Sequence, residues 1–442
     1  MPAVLNLKPP EVDTNEKRSK YSVTVVGCGR KGIFFANAFA DVGFNVICTD
    51  ADAAVIKKVA KGRIPFAIPE TAAILRSHIA SGKIDVTGEL KKAVAQSAIV
   101  IIAITAKVDE QKKNDYKGLV NTCKQVGAAL HSDMLVIYGG IAGLGFTEST
   151  IKELLENTSG LKTGKDFGLA YSPVFDTVVS PAKTEFKLAA TDQVSLDAAT
   201  TILGTITKNI RVVSDLRTAE AVALFTVVKQ DTTTALANEL AVFCENADID
   251  YFKVLDALHL NGTDFQPTIA EEENKNGAYL LLEGAENLNS KLKLTALARQ
   301  INEDMVRHAV NLTHEGLRCC GKTLRRAKVT VLGQVEQISD AGLFAKLLEQ
   351  KGAKVILYDP TAKKENSETQ EVKTNLNEAV EGTDCIVLLS NKDQINHFNL
   401  KKLKALVKSP AVVVDLVGKF EPVQVGTEGF IYTGLGRGTE QK

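Results

Sequence analysis

Tyr21-Ser-Val-Thr-Val-Val-Gly-Cys-Gly-Arg-Lys-Gly32 is the stretch on which the fold turns. Its β-branched run, residues 21–26, reads as a short strand that stops at glycine. Helical spacing follows from Gly32 to Val42, and Asn45-Val-Ile-Cys-Thr-Asp50 reads as a second strand. The glycines therefore fall between a strand and a helix, where a G-x-G-x-x-G does mechanical work. Gly27 makes the tight turn, Gly29 lets a diphosphate approach the backbone, and Gly32 lets helix and strand pack closely. Free N–H groups at the helix start, with the helix dipole behind them, favour a phosphate charge. Asp50 closes the second strand, where a carboxylate accepts hydrogen bonds from an adenosine ribose and repels a 2′-phosphate. Gly27, Cys28, Gly29, Arg30, Lys31, Gly32 and Asp50 are thus the expected cofactor-binding residues, and NAD the expected cofactor.

Outward from this motif the strand–helix alternation continues. Ser97–Ile104, Met134–Tyr138 and Phe167–Tyr171 are apolar on both faces, as strands buried in a parallel sheet are. This lobe is expected to run to about residue 205. Residues 216–246 lack proline and glycine and read as one long helix behind a Ser214-Asp215 cap. A second long helix is expected near Leu292 to Leu317, with Leu294, Leu297, Ile301, Met305 and Leu312 on one stripe. Past Cys320-Gly321 the α/β pattern restarts in residues 327–333, 353–359, 383–389 and 411–415. The expected class is α/β: two Rossmann-like doubly wound lobes joined by a long-helix central domain. Residues 1–20, polar and proline-containing, read as a disordered tail.

Bulk composition excludes several partners. Hydrophobic residues make up 45% and charged residues 24%, with zero formal net charge, so neither nucleic acid nor an anionic membrane surface is indicated. No apolar run approaches the roughly 20 residues that span a bilayer. Seven cysteines are scattered without a C-x-x-C pair, which suits reduced thiols and a cytoplasmic location. The six histidines form no metal-ligand spacing, and no metal is expected.

Several local signatures together resemble the UDP-glucose/GDP-mannose dehydrogenase family, which includes the UDP-N-acetylmannosamine dehydrogenases. They are Lys61-Gly-Arg-Ile-Pro65 followed by Pro69-Glu70, Ala219-Glu220, Ala237-Asn238-Glu239, Asn302 with Met305, Gly352-Ala353, Tyr358-Asp359-Pro360 and Tyr432-Thr-Gly-Leu-Gly-Arg437. The resemblance covers roughly residues 21–438. It implies an NAD-binding Rossmann domain over 21–205, a central helical dimerisation domain over 206–321 and a UDP-sugar-binding domain over 322–442. It further implies a UDP-sugar as ligand, and a homodimer or a heteromer with an active relative.

Members of that family oxidise a sugar C6 alcohol to a carboxylate in two hydride transfers, holding the intermediate on a cysteine within Gly-Gly-x-Cys-x-Pro-x-Asp. The matching stretch here is Asn276-Gly-Ala-Tyr279-Leu-Leu281-Leu-Glu283, with Tyr279 at the cysteine position. A phenol with a pKa near 10 is a poor substitute for a soft thiolate. The family's helix lysine is Ala223 and its following asparagine Val227. Its Pro-Glu-Phe-Leu-x-Glu-Gly loop is Pro173–Val179, its Thr-Pro is Ala106-Lys107, and a basic residue of the cofactor lobe is Val55. In the last lobe, Gln337 and a shortened segment ending Ser339-Asp340 replace a lysine and an arginine. Such changes are what relaxed demand on buried charge permits. The expectation is an NAD-binding nucleotide-sugar dehydrogenase-like protein with a degenerate site and unassigned catalytic residues. The alternatives are a catalytically silent relative acting in regulation or assembly, and a different reaction on bound NAD. Tyr279 as proton donor, the seven thiols, Lys229 and Lys275 are the candidate replacements, each with ordinary packing or surface exposure as the competing reading.

Overall fold

The computed structural model describes residues 3–64, 69–109, 111–175, 180–260, 265–269, 272–333, 340–358, 371–389 and 399–439. The expectations at Pro65, Asp176–Val179, Gln337, Ser339, Asp359 and Pro360 lie outside the described residues. The chain forms two compact units, Met1–Thr226 with Tyr279–Ser290, and Val227–Ala278 with Lys291–Lys442. The residues expected to form a separate central domain are thus shared between them.

In the first unit the glycine turn links β1 (Ser22–Val26) to α1 (Arg30–Asp41), followed by β2 (Asn45–Thr49), β3 (Ile84–Val86) and β4 (Ile99–Ile102). Then come α2 (Lys117–Gly127), β5 (Leu135–Tyr138), β6 (Gly168–Tyr171), β7 (Phe186–Ala190) and β8 (Ile210–Val212). Among the described residues these strands make one sheet in the order β8-β7-β6-β5-β4-β1-β2-β3. All its pairings are parallel except β6 with β7. Every residue of β4, β5 and β6 is buried, as strands covered on both faces require. Val23 and Val25 share a core with Ile99, Ile101 and the α1 residues Ile33, Phe35 and Phe39. Edge and stacked contacts among Phe35, Phe39 and Phe44 hold α1 against this layer. The sheet reverses direction between β1 and β4, so their carboxyl ends open the crevice where such folds bind ligands.

The first residues depart from the expected disordered tail. Val4, Leu7 and Val12 are buried in the same core, and Val4 N–H donates to Asp133 O at 3.0 Å. A one-turn helix, Asn15–Arg18, leads into β1, and the Arg18 guanidinium is anchored on Val12 O and Val42 O. These apolar side chains have no helical or strand period, and the surface that buries them comes from distant parts of the chain.

The long helix α3 (Leu216–Asn246) starts where its cap was expected, with Thr218 N–H donating to Asp215 Oδ1 at 2.7 Å. It is followed by α4 (Glu272–Asn287) and α5 (Lys293–Cys319). The expected stripe on α5 does not form one buried face. Leu294 and Leu297 are 67% and 53% exposed, whereas Met305 and Leu312 are buried. The buried face instead carries Arg299 and Asn302, both turned to Asp231 of α3 in the second unit.

The second unit is built on β9 (Lys328–Leu332), β10 (Lys354–Tyr358), β11 (Glu371–Lys373), β12 (Cys385–Leu388), β13 (Val412–Asp415), β14 (Ile431–Gly434) and β15 (Gly438–Thr439). Among the described residues the order is β11-β10-β9-β12-β13-β14-β15, parallel up to the antiparallel last pair. The chain is therefore α/β with a doubly wound sheet in each unit, and long helices lie between the two sheets in sequence.

Candidate functional site

The glycine turn has the shape its spacing implied. Gly27 has φ +99°, and its N–H donates to Thr49 O at 2.8 Å. A Cβ on Gly32 would lie 1.7 Å from Gly27 O, so only glycine lets α1 approach β1 this closely. Gly29 caps α1 with φ −74°, is exposed, and a Cβ there would meet nothing within 4 Å. That open space lies over the first N–H groups of a twelve-residue helix, which suits a diphosphate. Asp50 is aimed at the turn: its Oδ2 accepts from Cys28 N–H at 2.7 Å and its Oδ1 from Asp52 N–H at 2.9 Å. Each carboxylate oxygen keeps a further lone pair for a ribose hydroxyl. The residues present therefore fit a dinucleotide. Arg30 is exposed, while Lys31 is 5% exposed with Nζ 3.4 Å from Thr105 Oγ1, in the segment after β4. In sequence Lys31 is legible only as part of the turn, because no spacing rule reveals where its amine reaches.

The positions expected to be degenerate are apolar in space as well as in sequence. Ala223 is wholly buried and Val227 nearly so, and Ala106 is buried with its N–H on Ile141 O. Val55 packs against the first unit's core. Tyr279 is half-buried, with Lys112 Nζ 5.9 Å from its ring centroid, at the edge of cation–π range. One turn further along α4, Glu283 retains a carboxylate where the family pattern has aspartate. Its Oε2 accepts from Tyr116 OH at 3.0 Å and from Asn114 Nδ2. Burial and then the Glu283 charge push the Tyr116 phenol well above its usual range, so it is a donor at neutral pH. Tyr116 stacks on Phe146, with ring centroids 4.6 Å apart. Around them a cavity of about 250 Å³ is lined by Ser149, Leu280, Glu283 and Asn287. Sequence reasoning missed this cluster, although Glu283 stood in the motif it compared.

Glu220 of the Ala-Glu signature serves the backbone. Its carboxylate accepts from Thr147 N–H at 2.7 Å and Gly145 N–H at 2.5 Å, tying the loop after β5 to α3. Burial raises its pKa, and these two donors pull it partly back.

The thiols are enclosed with one exception. Cys28, Cys48, Cys123, Cys244, Cys320 and Cys385 are buried, and only Cys319, at the end of α5, is exposed. A hydrogen bond with Cys48, and then burial, push the Cys28 thiol far up, and burial lifts Cys123 to about 12. Neither is a thiolate at neutral pH. Lys275 pairs with Asp340 at 3.4 Å, and Lys229 is exposed. Among the described residues no group of histidine, cysteine and carboxylate side chains could hold a metal, and no helix is long and apolar enough to cross a membrane.

Comparison with known proteins bears on these geometries. Residues 21–210 match the NAD binding domain of the UDP-glucose/GDP-mannose dehydrogenase family, and residues 338–422 match that family's UDP binding domain. The chain is 25% identical to a UDP-N-acetyl-D-mannosamine dehydrogenase of Pyrococcus horikoshii, over 94% of this chain and 99% of the relative. It is 24% identical to a UDP-glucose 6-dehydrogenase of Bacillus subtilis, over 94% and 93%. A solved UDP-D-ManNAc dehydrogenase structure from Pyrococcus horikoshii matches with a TM-score of 0.77 at 26% identity, covering 94% of this chain and 99% of that one. An NDP-N-acetyl-D-galactosaminuronic acid dehydrogenase from Methanosarcina mazei matches with a TM-score of 0.69 at 25% identity, over 96% and 98%.

Proposed function

Because the chain belongs to the UDP-glucose/GDP-mannose dehydrogenase family, we propose that it binds NAD and a nucleotide sugar but lacks that family's thioester step. The cofactor is held by the Gly27–Gly32 turn and Asp50, with the nucleotide sugar engaging the UDP-binding domain. The observation that carries the reading is Tyr279, half-buried at the position of the nucleophilic thiol, with buried Ala223 where the family has lysine. A phenol can donate or accept a hydrogen bond at a sugar hydroxyl. It cannot hold an acyl group in the way a thiolate does. Any oxidation is then confined to one hydride transfer, which takes an alcohol to an aldehyde as one NAD+ becomes NADH and one proton is released. Glu283, held by Tyr116 and Asn114, is a carboxylate within one helical turn of Tyr279 that could receive that proton.

Incubation of the full chain with NAD and a panel of UDP- and GDP-sugars tests this. The expected result is at most one NADH per sugar consumed and no uronate. Two NADH per sugar, with uronate as product, would refute it.

A second reading, a catalytically silent subunit, is favoured by a different observation. Leu236, Leu240 and Phe243 follow one another at helical spacing on α3 and are 47%, 38% and 62% exposed. Such a face suits pairing with another copy of this chain. Binding of both ligands without NADH formation, together with a sedimenting dimer that Leu240→Glu splits, would favour this second reading.

A further inference from the structure

The helix that follows β5 opens irregularly, and the irregularity leads to the pocket around Glu283. It begins with a wide π-type turn, Thr147–Ile151, and continues as Lys152–Ser159. Turns of that kind gather at functional sites. A helix start leaves N–H groups without partners, which a neighbouring Ser, Thr, Asp or Asn side chain usually meets. Here the residue ahead of Thr147 is Phe146, and no side chain at that position caps the helix. The duty falls on Glu220 of α3, 73 residues beyond Thr147. Its carboxylate, 1% exposed, accepts Gly145 N–H at 2.5 Å on one oxygen and Thr147 N–H at 2.7 Å on the other. These two bonds bracket Phe146 and hold the backbone on either side of it. A local preference given up at one residue and restored from a distance marks a side chain placed for some purpose other than the helix.

That purpose is visible in what the Phe146 ring touches. It lies on Tyr116, with centroids 4.6 Å apart and planes 17° apart. The same segment closes on the phenol from a second point, since a Cβ on Gly143 would come within 2.7 Å of Tyr116 OH. Tyr116 in turn donates to Glu283 Oε2 at 3.0 Å, beside the Asn114 amide on the same oxygen. Among the described residues no donor meets Glu283 Oε1, which keeps its lone pairs for a ligand. All these groups belong to the first unit. We propose that Glu220 is a positioning residue: acting through Phe146 and Tyr116, it fixes the Glu283 carboxylate in the pocket. The inference rests on the reading of Glu283 as proton acceptor and extends it to a carboxylate that does not itself line the cavity.

Fluorine NMR of the full chain, with its eight tyrosines replaced by fluorotyrosine, tests this without turnover. Tyr116→Phe identifies the Tyr116 line. Glu220→Gln turns an amide N–H2 against one of the two backbone donors, and Phe146→Leu removes the ring while leaving Glu220 in place. Each is expected to move the Tyr116 line, and once Phe146 is leucine, Glu220→Gln should move it no further. A merely structural Glu220 would lower the urea midpoint and leave the Tyr116 line where it was, which would overturn the proposal. Two shifts that simply add would overturn it as well, because the influence would then bypass Phe146. Should Glu220→Gln not fold, the Phe146→Leu spectrum decides alone: a moved Tyr116 line supports the proposal and an unmoved one overturns it. With NAD and the panel of UDP-sugars, both variants should lower kcat on the order of tenfold to a hundredfold and leave KM for NAD unchanged; a change in KM alone would count against the proposal. If the wild type forms no NADH, the proton-acceptor reading of Glu283 fails, and the fluorine spectra still decide whether Glu220 positions the Tyr116–Glu283 pair.

Discussion

Gly32→Ala and Gly29→Ala form a matched pair that separates the folding role of the turn from its binding role. At Gly32 the added methyl would sit 1.7 Å from Gly27 O and 2.8 Å from Gly27 C. A carbon and a carbonyl oxygen come to rest at roughly 3.3 Å, so α1 must retreat by about 1.6 Å or the turn must open. Neither movement is easy. Gly27 is held to Thr49 by its own N–H, and α1 buries Ile33, Phe34, Phe35 and Phe39 against the sheet. Overpacking of this kind costs about 1–3 kcal/mol and occasionally more. A gain of about 1 kcal/mol from replacing glycine in a helix offsets only part of that. Because the clash is with backbone, the cost falls at the upper end of that range, and the net expectation is a loss of about 2 kcal/mol in urea unfolding, with NAD affinity lowered as the N–H groups move. At Gly29 the methyl would meet nothing, and φ −74° suits any residue. Its stability should stay within about 0.5 kcal/mol of wild type. Because the methyl projects into the space left for a diphosphate, NAD affinity should still fall about tenfold or more. The reasoning is refuted if Gly29→Ala binds NAD as wild type does, or if Gly32→Ala is as stable as Gly29→Ala.

Three further outcomes follow from the same geometry. Tyr279→Cys alone should yield no uronate with NAD and UDP-sugars, because a thiol of pKa near 8.5 with no cation at Ala223 is only about 3% thiolate at pH 7; uronate formation by this single variant would contradict the account. Glu220 has a raised pKa from burial, so the native state holds more protons than the unfolded chain just above the ordinary carboxyl value of 4.5. Its contribution is complete below that value and is lost as pH rises through the raised one, so urea midpoints should decline with pH more steeply in wild type than in Glu220→Gln. Equal slopes would show that Glu220 titrates normally. Arg299→Met should cost about 3 kcal/mol or more in urea unfolding, because it strands the buried Asp231 carboxylate that Arg299 meets at 2.5 Å. Adding Asp231→Leu should recover much of that loss, and a double variant no more stable than the single one would argue against an uncompensated charge.

What could be read from the chain in advance, and what could not, divides along a physical line. The β1–turn–α1–β2 unit was legible because every constraint on it, a strand, three glycines and an acid, falls within one continuous stretch, residues 22–50. That a tyrosine, Tyr279, and not a cysteine stands in the compared motif can likewise be read without coordinates. Features that depend on distant partners were not. Val4, Leu7 and Val12 looked like a solvated tail because nothing nearby buries them; their cover comes from the first unit's sheet and α1. The α5 stripe failed for the opposite reason. Hydrophobic period assigns the inside of a helix to its leucines, but the buried face of α5 is partly set by Arg299 and Asn302 reaching Asp231, while Leu294 and Leu297 stay exposed. Lys31 combines both lessons. It was visible as a turn residue, yet where its amine reaches, beside Thr105 just past the end of β4, is invisible to any spacing rule. A charged side chain buried beside a cofactor turn costs free energy unless something there compensates it. Thr105 Oγ1, 3.4 Å from the Lys31 amine, supplies part of that compensation, and it lies 74 residues further along the chain.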